Sequence, residues 1–518
     1  MSNRYDQLPY RGKAYPYAHP ERLASVAALF GLTSPDIRDA RILEIGCGDG
    51  FNLMSMSYQY PGSQFVGLDP AANAILQGSL KATSLGLDNL KLVEGGVESL
   101  DFDQHEFDYI IAHGVYSWVS PRVQSEMFRL IQACLSDNGV AYISYNTLPG
   151  WHIRSVARDL MMSAVDEAAS PKEQVAAARN ALEHFASSLS DTSLHGEVIR
   201  SVRDLLSEHE DAYWFHDFLS PQNHAYSITD FVNRASQFGL QFLAEAELGD
   251  SMVDKVPTEL RSFLDNETDR LRREQLLDHL SNRSFRRTLL CREHHIIADE
   301  PRLDCMAELH LSMKGYVDGE VDLTEGLEVT FVRRDGERIV VENSLVKAAL
   351  GILNNAQPAS VAHGELMAGA AAQLDLELDD SLLENLQRVL LFLHGSELVE
   401  LLPVPRSVRL EVSERPLICR LARWDAMQGE YPVTNALHSA SAVTPFEQLI
   451  IVLGDGTRTV DDCVDVLTDA VHSGDIHIET TADQELTDEV IRDTLLHQVS
   501  TALARLPAVG LLELDERR

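Results

Sequence analysis

Cysteine is scarce in this 518-residue chain, and its six copies (Cys47, Cys134, Cys291, Cys305, Cys419, Cys463) form no CxxC pair. Thiols scattered in or beside apolar segments exclude a disulfide framework and predict buried cysteines in a reducing compartment. Basic residues are also few: 43 Lys and Arg stand against 80 Asp and Glu, a net charge of -37. A phosphate backbone is held through a basic patch, so nucleic acid is not the expected partner. Residues 301–518 carry 17 Lys and Arg against 38 Asp and Glu, a net of -21. Such a surface steers cationic groups toward it or serves solubility. No apolar run approaches the roughly 18 residues of a transmembrane helix. The opening Met-Ser-Asn-Arg-Tyr-Asp-Gln-Leu-Pro-Tyr has no apolar signal core. The expectation is a cytoplasmic protein without membrane insertion. No metal is expected either, since no second pair of ligands joins Cys291, His294 and His295 at zinc spacing.

What is present is alternation. The first 30 residues are rich in Tyr and Pro, which suits an extended arm, and Leu23, Val26, Ala27 and Phe30 then recur at helical spacing up to Gly31. Short apolar runs at 41–45, 65–68, 90–93, 109–112 and 140–144 read as strands, separated by amphipathic stretches of helix length at 51–60, 71–85 and 121–135. Repeated strand, helix, strand predicts an α/β fold with a parallel, doubly wound sheet. From 153 to 212 only helical patterns appear. Strand-like segments return at 240–244 and 285–291, expected to finish the same sheet around an inserted helical block; a separate helical domain over 153–300 is the alternative. Beyond 300, a hairpin over 329–341 turns at Arg334-Asp335-Gly336-Glu337, followed by helices at 343–353, 359–373 and 380–393. A short strand pair is then expected at 398–402 and 408–412, and a helix at 460–472. Three helices with a small hairpin is a winged-helix layout.

The chemistry-bearing segment is Ile42-Leu43-Glu44-Ile45-Gly46-Cys47-Gly48-Asp49-Gly50, a strand ending in Gly-x-Gly-x-Gly. Glycines there let a ligand touch the backbone, and the helix beyond presents free N–H groups. Neither the Gly-x-Gly-x-x-Gly of nicotinamide sites nor the Gly-Lys-Ser/Thr of a P-loop is present. Asp69 ends the second strand about 20 residues on, where an acid meets ribose hydroxyls.

Glu44 to Gly50, Asp69 and Phe107-Asp108-Tyr109-Ile110-Ile111 together resemble a class I S-adenosylmethionine-dependent methyltransferase, Rossmann-like and seven-stranded. The resemblance implies that Gly46, Cys47, Gly48 and Gly50 line the cofactor, that Glu44 organises the loop, and that Asp69 beside Pro70 grips the ribose. Gly96, Val97 and Glu98 fall at the adenine edge, with Gly96 where many members carry Asp. His113-Gly114-Val115-Tyr116-Ser117-Trp118-Val119 and Tyr145-Asn146-Thr147-Leu148-Pro149-Gly150-Trp151 follow the fourth and fifth strands, where doubly wound folds place their ligand. With the Tyr5 to Tyr10 start and Phe215-His216-Asp217-Phe218-Leu219, they resemble methyltransferases with an attached regulatory region, similar to rickettsial-type lysine methyltransferases of outer-membrane proteins.

That resemblance implies an arm over the active site (1–30), a catalytic domain (31–152), a helical insert and dimerisation element (153–215), the remainder of the sheet with the regulatory region (216–300), and two α+β winged-helix-like modules (301–414 and 415–518). It makes a lysine-bearing protein the expected acceptor and a homodimer the expected assembly. A small-molecule acceptor and a cofactor-binding scaffold without turnover are the rival readings. Catalytic candidates are Tyr10, His113, Tyr116, Trp118, Tyr145 and Asn146, with Trp151 nearby; His113 is also a cofactor candidate. An amine acceptor must be neutral to attack, and aromatic surroundings lower its pKa.

Overall fold

The computed structural model describes residues 7–8, 12–98, 106–252, 256–406, 408–477 and 487–514. Helix α1 (Pro20–Leu29) opens the regular structure; Pro20 takes its first turn, where no N–H is needed, and His19 Nδ1 accepts from Glu21 N–H at 3.2 Å. The chain then alternates as its periodicity dictates: β1 (Arg41–Ile45), α2 (Phe51–Gln59), β2 (Gln64–Asp69), α3 (Ala72–Ser84), β3 (Leu90–Glu94), β4 (Phe107–Ala112), α4 (Pro121–Cys134), β5 (Leu135–Asn146). Three helices follow, α5 (Gly150–Ala164), α6 (Pro171–Ser188) and α7 (Leu194–Ser207), then a π-helical turn at Trp214–Phe218. Helix α8 (Ile228–Ser236) leads to β6 (Leu240–Glu245), α9 (Thr258–Asp265), α10 (Arg270–Ser281) and β7 (Phe285–Arg292).

Strands β1 to β7 form one sheet in the order β3-β2-β1-β4-β5-β7-β6. β7 runs antiparallel to both its neighbours, and the first five strands are mutually parallel. The late pair therefore completes the seven-stranded sheet, and α5, α6 and α7 are an insertion with their own core of Trp151, Val175, Leu182, Ile199, Leu206 and Phe218. In β7, Arg286 is wholly buried and bound by Glu245 at 2.7 Å, Asp278 at 2.8 Å and Glu274 at 3.0 Å. Arg283 joins Asp278 at 3.2 Å and Arg287 pairs with Glu247, so this basic cluster is matched by the chain's own acids.

The middle region holds β8 (His310–Met313), β9 (Tyr316–Val317), β10 (Val329–Val332), β11 (Arg338–Val341), α11 (Ser344–Ala356), β12 (Val361–Ala362), α12 (His363–Gln373), α13 (Asp380–Gly395) and β13 (Val399–Leu402). The expected hairpin is β10–β11. The partner expected for β13 is not: residues 408–412 form no strand, and β13 pairs with β8, whose alternation was too short to read as a strand. The last region holds α14 (Arg420–Met427), β14 (Val433–Thr434), β15 (Ala440–Ser441), α15 (Pro445–Leu453), α16 (Val460–Ser473) and α17 (Asp488–Arg505). Bridges Leu417 to Asp455 and Ile418 to Leu512 close it as a winged helix.

These regions share cores with the sheet. Ile42, Tyr109, Val140 and Tyr142 on one face pack with α1 and with Leu311, Phe331, Leu350 and Leu390 of the middle region. Phe51, Met54 and Tyr58 of α2 pack with Ile418, Leu421, Ile450 and Leu495 of the last. The helix that leaves the glycine loop is thereby held from behind by the C-terminal winged helix. Among the described residues, no helix is long and apolar enough to cross a membrane, and no three His, Cys, Asp or Glu gather as metal ligands.

Candidate functional site

Gly46, Gly48 and Gly50 all have positive φ (73°, 57° and 74°), which bends the chain from β1 into α2. A Cβ on Gly46 would collide with Val115 Cγ2, and one on Gly50 would sit 2.6 Å from Leu92 Cδ2. A Cβ on Gly48 would meet nothing within 4 Å among the described residues. Asp69, at the tip of β2, accepts Gly48 N–H at 2.9 Å and Ala71 N–H at 2.8 Å. Its carboxylate thus fixes the loop.

Glu44 is buried; its Oε1 accepts from Asn52 Nδ2 at 2.9 Å, and its Oε2 has no hydrogen-bond partner among the described residues. Burial pushes its pKa up to about 8 against the Asn52 hydrogen bond, with Asp49 and Asp69 adding repulsion. An unpartnered carboxyl oxygen behind a loop whose middle glycine is uncovered fits a ligand carrying N–H or O–H donors. Cys47 is buried with its thiol held protonated by burial, while Pro70 is exposed beyond Asp69. At the third strand's end, Gly95 N–H donates to Asp69 O at 3.0 Å. Gly96 is exposed, Val97 turns inward against the sheet, and Glu98 pairs with Arg122 at 3.0 Å. Asp108 lies at the opposite end of the sheet, where it accepts Arg41 N–H at 2.9 Å; it is structural.

His113 follows β4 at the ligand end. Its Nδ1 lies 2.9 Å from Tyr142 OH, and burial, aided by Arg287, drives its pKa down to about 3. It is therefore a neutral ring and a weak base at physiological pH. Trp118 and Trp151 meet edge to face at 6.2 Å, and Trp151 lies 5.6 Å from Phe218 of the π-helical turn. Asn146 is buried, donating from Nδ2 to Asn223 Oδ1 at 3.1 Å.

Two aromatic candidates lie elsewhere. Tyr116 and Tyr145 are wholly buried against Phe128 and Phe231 on the α4/α8 side of the sheet, with Tyr145 stacked on Phe231 at 4.0 Å and bonded to Thr288 Oγ1. They fill core and do not line a channel. The reason is strand alternation: Tyr142, Ser144 and Asn146 face one side of β5, Ile143 and Tyr145 the other. Tyr10 lies outside the described residues.

Sequence reasoning passed over Tyr15 and Asn52. Tyr15 N–H donates to Asn52 Oδ1 at 2.9 Å, and its ring lies 4.1 Å from that of His113. Only the concentration of tyrosines in the arm could have signalled it. Burial raises the pKa of both Tyr15 and Tyr213, and Asp217, read as part of a regulatory motif, adds to both by its charge.

The chain matches three family descriptions: a methyltransferase domain over residues 42–139, a "predicted methyltransferase regulatory domain" over 210–292, and a "PKMT, C-terminal winged helix domain" over 414–511. The second of these spans α8 to β7, the strands that finish the sheet. The chain is similar to uncharacterized protein RP789 of Rickettsia prowazekii, 35% identical over 290 residues, which are 56% of this chain and 52% of that protein. Its match to that relative thus spans about half the relative's length. It is also similar to uncharacterized protein RP028 of the same organism, 33% identical over 234 residues, 45% of this chain and 94% of that one. Among solved structures, PKMT2 from Rickettsia typhi in complex with AdoHcy aligns over 97% of this chain and 100% of its own, with a TM-score of 0.86 and 25% identity. The chain therefore belongs to the S-adenosylmethionine-dependent methyltransferases that carry a methyltransferase regulatory domain and a PKMT-type C-terminal winged helix.

Proposed function

We propose that this methyltransferase modifies lysine side chains of a protein. The observation that carries the reading is the likeness of the whole chain, accessory modules included, to PKMT2, whose family label denotes protein lysine methyltransferases. The cofactor supplies an electrophilic methyl on a sulfonium. Gly46, Cys47, Gly48 and Gly50 would cradle its methionyl end beside Glu44, Asp69 and Pro70 its ribose, and Gly96, Val97 and Glu98 its adenine edge, with His113 at the reacting end.

The chain's own task is to present a neutral amine in line with the methyl and to exclude water. Keeping a lysine with an unperturbed pKa near 10.4 neutral at pH 7 costs about 4 to 5 kcal/mol. Desolvation among Tyr15, His113, Trp118 and Trp151 lowers that cost. His113 is too weak a base to take the proton, so its part is to bound the slot. Asn146 would orient the acceptor through its amide. The net charge of -37 favours approach of a cationic side chain. We assign residues 153–215 to dimerisation and the two C-terminal modules to substrate protein contact, in a cytoplasmic enzyme.

The test is transfer of radiolabelled methyl from S-adenosylmethionine to protein extract, followed by acid hydrolysis and amino-acid chromatography. Label co-migrating with methylated lysine supports the reading. Label confined to small molecules assigns a metabolite acceptor instead, and cofactor binding without any transfer assigns a scaffold.

A further inference from the structure

Residues 12–15 run across the cofactor loop with no room to spare. A Cβ on Gly12 would collide with Asp49 Oδ1 and lie 2.6 Å from Phe51 Cβ, so only a bare backbone passes here. Upstream, Leu8 O is held by His216 Nε2 at 2.6 Å. Downstream, Tyr15 N–H reaches Asn52 Oδ1, and the same amide's Nδ2 donates to Glu44 Oε1, both at 2.9 Å. One side chain therefore ties the arm to the acid behind the glycine loop. The Tyr15 ring, tilted 35° at 4.1 Å, covers His113, and His113 is itself fixed by Tyr142 OH and by the Gly114 N–H to Ser144 Oγ bond at 2.8 Å. Burial and the charges of Glu44, Asp49 and Asp217 hold the Tyr15 hydroxyl neutral, with its pKa up to about 12.

The face of the neutral Tyr15 ring favours positive charge through its quadrupole, and the charges of Asp49 and Asp217 act on it in the same sense, while Arg287 acts on the His113 side in the opposite one. A sulfonium and an approaching amine are both such charges. We propose that Tyr15 is a positioning residue of the transfer site: its main chain is locked through Asn52 to the cofactor loop, and its ring, with His113, forms the wall against which positive charge at the methyl position is seated. The part that concerns an amine rests on the lysine reading above.

The test compares S-adenosylhomocysteine, neutral at sulfur, with sinefungin, whose amine-bearing carbon replaces the methylsulfonium and so places an ammonium at the methyl position. Binding of both is measured calorimetrically on the full chain, on Tyr15→Phe, which keeps the ring, and on Tyr15→Leu, which keeps apolar volume without it. Melting temperatures establish that each variant is folded. The expected result is an S-adenosylhomocysteine Kd within about three-fold in all forms. Sinefungin should weaken about ten-fold in Tyr15→Leu and less than about two-fold in Tyr15→Phe. Parallel loss of both ligands, or no loss of sinefungin in Tyr15→Leu, overturns the proposal. Because neither ligand needs an acceptor, discrimination that persists while poly-L-lysine and protein extract go unmethylated supports the wall and counts against lysine alone.

Discussion

Replacing Glu44 with Gln should make the cofactor-free protein more stable and more tolerant of alkali, while weakening its hold on the cofactor. Glu44 is buried, one of its oxygens has no hydrogen-bond partner among the described residues, and its carboxyl is pushed from 4.5 up to about 8. Between these values the unfolded chain carries the group ionised and the folded chain carries it protonated. Stability attached to this residue is therefore full at low pH and is lost as pH rises, at about 1.4 kcal/mol per pH unit and roughly 4 to 5 kcal/mol in all. Glutamine keeps the Oε1 acceptor for Asn52 Nδ2 and cannot ionise. The assay is the urea midpoint of apo wild type and Glu44→Gln at pH 4.5 and pH 8. The variant should match wild type at the lower pH and exceed it by several kcal/mol at the upper, with S-adenosylmethionine affinity reduced at least ten-fold. A stability difference that is the same at both pH values refutes the reasoning.

Both loop glycines have positive φ, but a Cβ on Gly50 also meets Leu92, whereas one on Gly48 meets nothing among the described residues; Gly50→Ala should therefore lower both melting temperature and cofactor affinity, and Gly48→Ala should cost cofactor affinity with a smaller loss of stability. Thermal melts beside calorimetric titration separate the two. Arg286→Met leaves Glu245, Glu274 and Asp278 buried without their cation and should cost about 3 to 5 kcal/mol in denaturant unfolding, whereas a wild-type midpoint would show the cluster to be dispensable. His19 and His438, buried 4.8 Å apart where the C-terminal winged helix meets α1, both have pKa values held down chiefly by burial, against the pull of Glu21 on His19. Their neutral forms support the junction above pH 6.5, and that support falls as pH drops below it. Hydrogen exchange of the 435–441 loop should quicken from pH 7 to pH 5.5, after correction for intrinsic rate, and less so in His438→Asn.

The sheet was legible because its strands are short apolar runs and its crossovers are amphipathic, two patterns with different periods. The glycine loop was legible because Gly46, Gly48 and Gly50 alternate directly after an apolar strand, with Glu44 before them and Asp69 at the next strand's end. Placing side chains around the acceptor was harder. β5 is buried on both faces over Val140 to Asn146, so no alternation of polarity told Tyr145 from Asn146, and the ring was put on the wrong side. Tyr15 was hidden for a different reason: its partners, Asn52 and His113, are 37 and 98 residues away, and an irregular arm has no period to carry such a contact. The same holds for β8, a four-residue strand whose pairing with β13 spans the whole middle region.

The central claim is that the loop from Glu44 to Gly50, fixed by Asp69, holds S-adenosylmethionine. Calorimetric titration of the full chain with S-adenosylmethionine and S-adenosylhomocysteine, beside Asp69→Ala, tests it most directly. The account predicts saturable binding of both at one site per chain, lost or weakened more than about a hundred-fold when Asp69 releases Gly48 N–H and the ribose. Absence of binding by the wild type, or equal binding by Asp69→Ala, would contradict it.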